Sequence, residues 1–237
     1  MSQLALQRLQ DSPDGSTGER KLLLIGNPNV GKSLLFGCLT NRYVTVSNYP
    51  GTTVEITTAR ATIAGETRLV VDTPGTNGLI PQSDDERVAR DMLITSPGAD
   101  VLQVGNMSNI RRTLLLSLQI AEHEVPFTLC LNMSDEAREN KQEVDPAVLS
   151  AALGIPVVAT SALRRWNLEK LKREAVNPGT ARYSVTYPPA IEQGIATIVE
   201  AIDVSRGIAL SVLSGDETLR PHLPEESLEE LDRIRAG

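Results

Sequence analysis

Apolar residues fall into short runs separated by amphipathic stretches. Residues 22–26, 68–72, 101–105, 127–132 and 157–160 are apolar segments of strand length, and most carry little polar alternation. Such runs read as strands buried on both faces. Residues 54–63 behave differently: Val54 and Ile56 alternate with Thr and Ala, as in an exposed or edge strand, and Gly65 marks a hairpin turn before the next run. Between the strands, residues 84–95, 109–123, 145–153 and 167–175 place apolar positions at helical spacing. Strand–helix alternation of this kind predicts an α/β fold with a mostly parallel, six-stranded sheet covered on both faces.

The pattern changes at Asn177-Pro178-Gly179 and again at Pro188-Pro189. No strand is expected beyond these breaks, and residues 190–201, 203–214 and 224–235 read as amphipathic helices separated by Asp203 and Gly215-Asp216. Residues 11–20 are polar and rich in turn formers. The expected organisation is a flexible leader at 1–20, an α/β domain at 21–176, a linker at 177–189 and a small all-helical domain at 190–237. The Glu225-Glu226 and Glu229-Glu230 pairs read as a solvated helix face.

Composition narrows the function. A net charge of -7 over 237 residues disfavours a phosphate-backbone binder, so no nucleic-acid partner is expected. The two cysteines, Cys38 and Cys130, lie in apolar segments and read as reduced core residues. No stretch reaches the roughly 18 apolar residues of a membrane span, and two His with two apolar-segment Cys offer no ferrous ligand cluster. The chain can still be the soluble part of a longer protein.

The chemistry is carried by five constellations. Gly26-Asn-Pro-Asn-Val-Gly-Lys-Ser33 fits the phosphate-loop pattern G-x-x-x-x-G-K-[ST] between an apolar run and a helical pattern, so its backbone N–H groups can face a phosphate. Gly31 permits close backbone approach, Lys32 supplies a point charge, and the Ser33 hydroxyl suits Mg²⁺. Asn48-Tyr-Pro-Gly-Thr-Thr53 offers a threonine hydroxyl to the same ion. Asp72-Thr-Pro-Gly75 ends a strand, where a carboxylate faces the ligand crevice of an open α/β sheet and the Gly75 N–H can meet a terminal phosphate. Asn132-Met-Ser-Asp135 supplies a carboxylate that can accept from guanine N1–H and the 2-amino group, donors that adenine lacks. Thr160-Ser161-Ala162 provides small residues that let a backbone N–H reach the guanine oxygen.

Their order and their positions at strand ends resemble the Ras-like GTPase superfamily over residues 21–176. The resemblance implies a guanine-nucleotide site of Asn29, Val30, Gly31, Lys32, Ser33, Leu34, Asp72, Gly75, Asn132, Met133, Asp135, Ser161 and Ala162. Lys32, Thr53 and Gly75 would then act at the γ-phosphate, and Ser33, Thr53 and Asp72 would hold Mg²⁺. Many members use a Gln just after the Asp-x-x-Gly glycine to orient the attacking water. Here that position is Thr76, so hydrolysis must rest on positioning and electrostatics.

Three segments narrow the match: Asn27-Pro-Asn-Val-Gly-Lys-Ser33, Asn48-Tyr-Pro-Gly-Thr-Thr-Val-Glu55 and Asp84-Asp-Glu-Arg-Val-Ala-Arg-Asp91. With Asn109-Ile-Arg-Arg-Thr-Leu-Leu-Leu116 and the tail from Ser205 to Asp216, they resemble the cytosolic N-terminal part of the FeoB family of bacterial ferrous iron transport proteins. The resemblance implies a membrane permease following in the full-length polypeptide, with the present segment on the cytoplasmic face of the inner membrane. It also implies a slow GTPase stimulated by K⁺, with Asn29 as the side-chain ligand of that ion, and Thr53 rather than Thr52 as the Mg²⁺-sensing threonine. Homo-oligomer formation is left open. Thr73 stands where the family usually has Leu, and Gly105-Asn106 where an Asp is common. Two other readings compete: a free-standing ribosome-assembly-type GTPase, disfavoured by the acidic charge, and a non-hydrolysing nucleotide sensor.

Overall fold

The computed structural model describes residues 20–40 and 44–236; the expected leader falls almost wholly outside them. Seven strands form one sheet in the order β2-β3-β4-β1-β5-β6-β7. They are β1 (Lys21–Gly26), β2 (Thr45–Asn48), β3 (Glu55–Ile63), β4 (Glu66–Asp72), β5 (Asp100–Asn106), β6 (Phe127–Asn132) and β7 (Val157–Ala159). From β4 through β7 all pairings are parallel, whereas β2–β3 and β3–β4 are antiparallel. The α/β expectation holds, with one strand more than the six expected. The extra strand, β2, exposes all four residues, so no apolar period marks it. It displaces β3 from the edge position that its alternation suggested. The β3–β4 turn places Ala64 and Gly65 at φ 49° and 88°, the positive values that match the twist of a two-residue hairpin.

The apolar runs split by parity. Leu22 and Leu24 face one core with Val70, Leu102, Val104 and Cys130, covered by α1 (Lys32–Leu39) and, later in the chain, α6 (Leu168–Ala175). Leu23 and Ile25 face the other with Val71, Val101, Leu129 and Leu131, under α2 (Asp84–Ile94) and α3 (Ile110–Glu122). The burial of β1, β5 and β6 thus comes from helices on both faces. Two short helices, α4 (Ser134–Glu139) and α5 (Pro146–Leu153), connect β6 to β7. The helix at Ser134–Glu139 has no counterpart in the apolar periodicity, because six residues are too few to show a period.

The tail forms α7 (Pro189–Ile202), α8 (Arg206–Leu213), a 3₁₀ turn (Glu217–His222) and α9 (Glu225–Ala236) around its own cluster, which includes Ile195, Ile198, Ala209 and Leu219. The second helix starts later than the expected residue 203. Asp203, at φ 49°, closes α7, and the Ser205 hydroxyl accepts from the Ile208 N–H to begin α8. The segment at 177–189 is strapped to the sheet domain: Gly179 bridges Phe127, Arg182 N–H donates to Leu153 O at 3.0 Å, and Val185 N–H to Glu122 Oε1 at 2.9 Å. Helix α8 rests on the end of α3, where a Cβ on Gly207 would lie 2.6 Å from the His123 ring. Only glycine allows that approach.

Candidate nucleotide-binding site

The loop from Gly26 to Lys32 joins β1 to α1 at the carboxyl edge of the sheet. Asn29 and Gly31 take φ of 64° and 80°, the left-handed values a loop needs to turn successive N–H groups inward. Gly31 is constrained twice, because a Cβ there would stand 2.5 Å from Asn132 Nδ2. Helix α1 then begins with Lys32, whose Nζ donates to Asp72 Oδ1 at 2.6 Å and to the Thr73 carbonyl. Both charged groups are about nine-tenths buried. A buried pair of this kind persists only where its remaining donors and acceptors are satisfied. Ser33 and Leu34 are exposed on the first turn, while Val30 is buried.

Asn132 ties three segments together. Its Nδ2 donates to Val30 O at 2.9 Å, and its Oδ1 accepts from the Ala162 N–H at 2.9 Å and from Thr160 Oγ1 at 3.3 Å. The phosphate loop, the end of β6 and the loop after β7 are therefore held by one carboxamide. Within the 160–162 triplet, the Ala162 N–H is thus used by the Asn132 carboxamide. Met133 follows at φ 60° and turns the chain so that Asp135 lies in the first turn of α4. Asp135 is pulled up by burial but, on balance, held below the usual carboxylate range by hydrogen bonds from Arg164 and Ser161. Ser161 is buried beside it.

The Asp72-Thr-Pro-Gly75 segment packs under the phosphate loop. A Cβ on Gly75 would meet Pro28 at 3.1 Å. Thr73, at the position where Leu is usual, is accommodated because its hydroxyl donates to Leu24 O at 2.9 Å. Thr76 is fully buried, its N–H donates to Gly26 O at 3.0 Å, and its hydroxyl donates to Gly78 O. Thr52 spends its hydroxyl on Tyr49 O at 3.0 Å, while Thr53 is exposed.

Several contributors escaped sequence reasoning. Asn27 Nδ2 donates to Thr76 O at 3.0 Å and braces the phosphate loop from beneath. The irregular segment 76–82 is held by side chains rather than by a ladder: Glu86 accepts from the Asn77 and Gln82 N–H groups, and Gln119 accepts from the Leu79 N–H. Arg112 donates to the Asn77 side chain and lines a polar cavity with Asn27, Asn29, Asn106 and Asn109. Glu86 belongs to a local pattern, Ser83-x-x-Glu86, of the kind that starts a helix. The Glu86 N–H does reach Ser83 Oγ at 3.3 Å, but the Glu86 carboxylate serves the loop ahead of it.

The exposed Ser33 and Thr53 hydroxyls and the Asp72 carboxylate are oxygen donors of the kind Mg²⁺ takes. Asn29 presents an exposed carboxamide suited to a larger monovalent cation. Among the described residues no helix is long and apolar enough to cross a membrane.

Comparison with known proteins is consistent with this geometry. Residues 20–175 match the N-terminal family model of ferrous iron transport protein B. The chain is 31% identical over 222 residues to the Fe(2+) transport protein A/Fe(2+) transporter FeoB fusion protein of Porphyromonas gingivalis, covering 87% of this chain and 26% of that protein. It is 32% identical over 216 residues to the Fe(2+) transporter FeoB of Escherichia coli K12, covering 86% of this chain and 28% of that protein. The chain thus spans about a quarter of the length of the curated relatives it matches. Among solved structures, the cytosolic domain of T. maritima FeoB in its GMPPNP form superposes with a TM-score of 0.77 at 34% identity, covering 92% of this chain and 93% of that one. A GDP-bound point mutant of S. thermophilus NFeoB gives 0.77 at 30% identity, covering 91% and 88%. The chain belongs to the ferrous iron transport protein B family, as a member of its N-terminal GTPase segment.

Proposed function

We propose that this chain binds GTP, hydrolyses it to GDP and phosphate, and thereby drives or gates ferrous iron uptake by a membrane permease region of the same polypeptide. The observation that carries the reading is the Asn132 carboxamide, which locks the phosphate loop to the two segments expected to meet a guanine base. The full-length character of the relatives supports the attachment to a permease, and with it a place on the cytoplasmic face of the inner membrane.

In this reading Lys32 leaves Asp72 for the β- and γ-phosphates, and the loop N–H groups between Asn29 and Ser33 hold the phosphate oxygens. Gly75 N–H meets the γ-phosphate, and Thr53 closes on the site from the other side. Ser33 and Thr53 would hold Mg²⁺ directly, with Asp72 acting through water; the ion supplies charge neutralisation of the phosphates. Asn29 would hold K⁺, which supplies positive charge where other enzymes use an arginine. Asp135 takes the guanine edge, and the apolar Met133 and Leu34 border the nucleotide. Thr76 is buried with its hydroxyl committed, so no side chain at that position orients water and turnover is slow. Release of phosphate frees Thr53 and Gly75, and the tail beyond Pro188 reads the change.

The test is phosphate release from GTP with Mg²⁺, in K⁺ against Na⁺ at equal ionic strength, for the native chain and Asn29→Ala. K⁺ stimulation that disappears in the variant supports the scheme. Equal rates in both salts remove K⁺ and Asn29 from it, and absence of hydrolysis in either salt leaves a nucleotide sensor.

A further inference from the structure

The loop after β7 is fastened to α4 from both directions. Arg164 Nε donates to Asp135 Oδ2 at 3.1 Å and its Nη2 to Glu139 Oε1 at 3.2 Å. In return, the Arg138 guanidinium lies 4.8 Å above the Trp166 ring. The loop itself closes through paired bonds between Ser161 and Trp166, with Arg165 and Asn167 at φ 51° and 63°. The phosphate loop has no part in these contacts, and one of them, from Arg164 Nε, falls on the carboxylate expected to recognise the base.

Asp135 is only 14% exposed, whereas Arg164, which covers it, is 63% exposed. The chemistry of that cover is specific. Guanine offers a carboxylate the N1–H and the 2-amino N–H, set on either side of C2. A guanidinium offers N–H groups on either side of its central carbon, in a planar fork of the same kind. We propose that Arg164 is an internal competitor for the guanine edge: its side chain holds Asp135 and must yield for the base to bind, so that Arg164 sets the affinity and the association rate of guanine nucleotides. Glu139 takes the neighbouring N–H of the same guanidinium and so helps hold Arg164 over Asp135. This inference rests on the guanine-nucleotide reading above.

An exposed ion pair is weak, so the effect is a moderate one. Removing Arg164 is expected to tighten GDP binding by about 2- to 5-fold, chiefly through faster association. Glu139→Gln is expected to move affinity the same way by a smaller factor, because Arg164 is then held over Asp135 less firmly. High salt should bring the native chain and Arg164→Ala together, since it weakens an exposed pair.

The experiment is titration and stopped-flow mixing of fluorescently labelled GDP with the native chain, Arg164→Ala and Glu139→Gln at low and high salt. The same measurement is made with labelled XDP on Asp135→Asn and on Asp135→Asn/Arg164→Ala. Tighter binding by Arg164→Ala, a smaller tightening by Glu139→Gln, and no effect of Arg164→Ala on XDP binding in the Asp135→Asn background support the competitor. Equal or weaker GDP binding by Arg164→Ala overturns it. Failure of the native chain to bind GDP at all overturns the guanine-nucleotide reading itself, whatever Arg164 does.

Discussion

Arg90, wholly buried in α2, donates to Asp216 Oδ2 at 2.5 Å and so joins the helix that follows the 73–83 segment to the 3₁₀ turn of the tail. Its other nitrogens are also used: Nε donates to Asp91 at 2.7 Å and Nη2 to Thr218 Oγ1 at 2.8 Å. Asp91 also lies 3.2 Å from His222 Nε2 of the same turn. One short stretch of α2 therefore makes three polar contacts with the tail, alongside the Arg206 Nε bond to Glu122 Oε2 at 2.9 Å and the apolar contact of Ile94 with the tail cluster.

Removal of Asp216 leaves a buried guanidinium with one carboxylate fewer. Breaking such a pair costs about 3 kcal/mol or more, because the remaining charge stays desolvated. Asp216→Ala is expected to lower the unfolding midpoint in urea accordingly and to open residues 203–224 to protease. If the tail reads the nucleotide state, proteolysis of the native chain differs between GDP and a GTP analogue, and the variant loses that difference. A protease pattern identical to the native one would show that the tail docks without the Arg90–Asp216 pair.

His123 gives the docking surface a pH dependence. Burial, with the Arg90 cation nearby, pushes its pKa down to about 4, and Nδ1 has no hydrogen-bond partner. An unfolded His titrates near about 6.5. Between these values the unfolded chain binds a proton that the native chain refuses. Stability is therefore full above about pH 6.5 and is lost as pH falls toward 4, by about 3 kcal/mol at most. Urea midpoints at about pH 7 and about pH 5 should differ more for the native chain than for His123→Gln. Identical pH responses in the two proteins would show that His123 carries no part of the acid sensitivity.

The two thiols should separate cleanly. Cys130 is fully buried and burial pushes its thiol up to about 12, so neither access nor thiolate is available. Cys38 is half-buried, with its thiol 3.6 Å from Ala162 O. A thiol reagent is expected to modify one cysteine in the native chain and the second only in denaturant. Cys38→Ser should abolish the native reaction. Rapid labelling of both thiols without denaturant would mean that the sheet opens between β5, β6 and β7.

Much of this arrangement was legible because the residues sit in local patterns. The unbroken apolar run from Leu22 foretold a strand covered on both faces, the phosphate loop follows that run directly, and Asp72 and Asn132 each lie where an apolar run ends. What was missed has a common physical cause. Strand β2 carries no buried residue, so nothing in its composition sets it apart from a loop. Asn27, Gln119 and Arg164 act on partners 49, 40 and 29 positions away, a separation at which one sequence gives no sign of contact. Thr73 looked like a departure from the family, yet its hydroxyl finds Leu24 O, a carbonyl of the neighbouring strand.

Thr76 offers a sharper test of how the site works. A reader of the sequence alone would restore the missing amide with Thr76→Gln and expect faster hydrolysis. The structure argues otherwise. Thr76 has no exposed surface, its hydroxyl closes the turn to Gly78, and its carbonyl accepts the Asn27 brace of the phosphate loop. A larger side chain there must push into packed surroundings, which typically costs about 1–3 kcal/mol. Thr76→Gln is therefore expected to lower stability by that amount and to leave phosphate release no faster. Thr76→Ser, which keeps the hydroxyl, should retain both. Thermal midpoints and single-turnover GTP hydrolysis of the two variants decide the matter. Faster hydrolysis in a stably folded Thr76→Gln protein would mean that this segment leaves its buried position during the reaction and that the amide then reaches the attacking water.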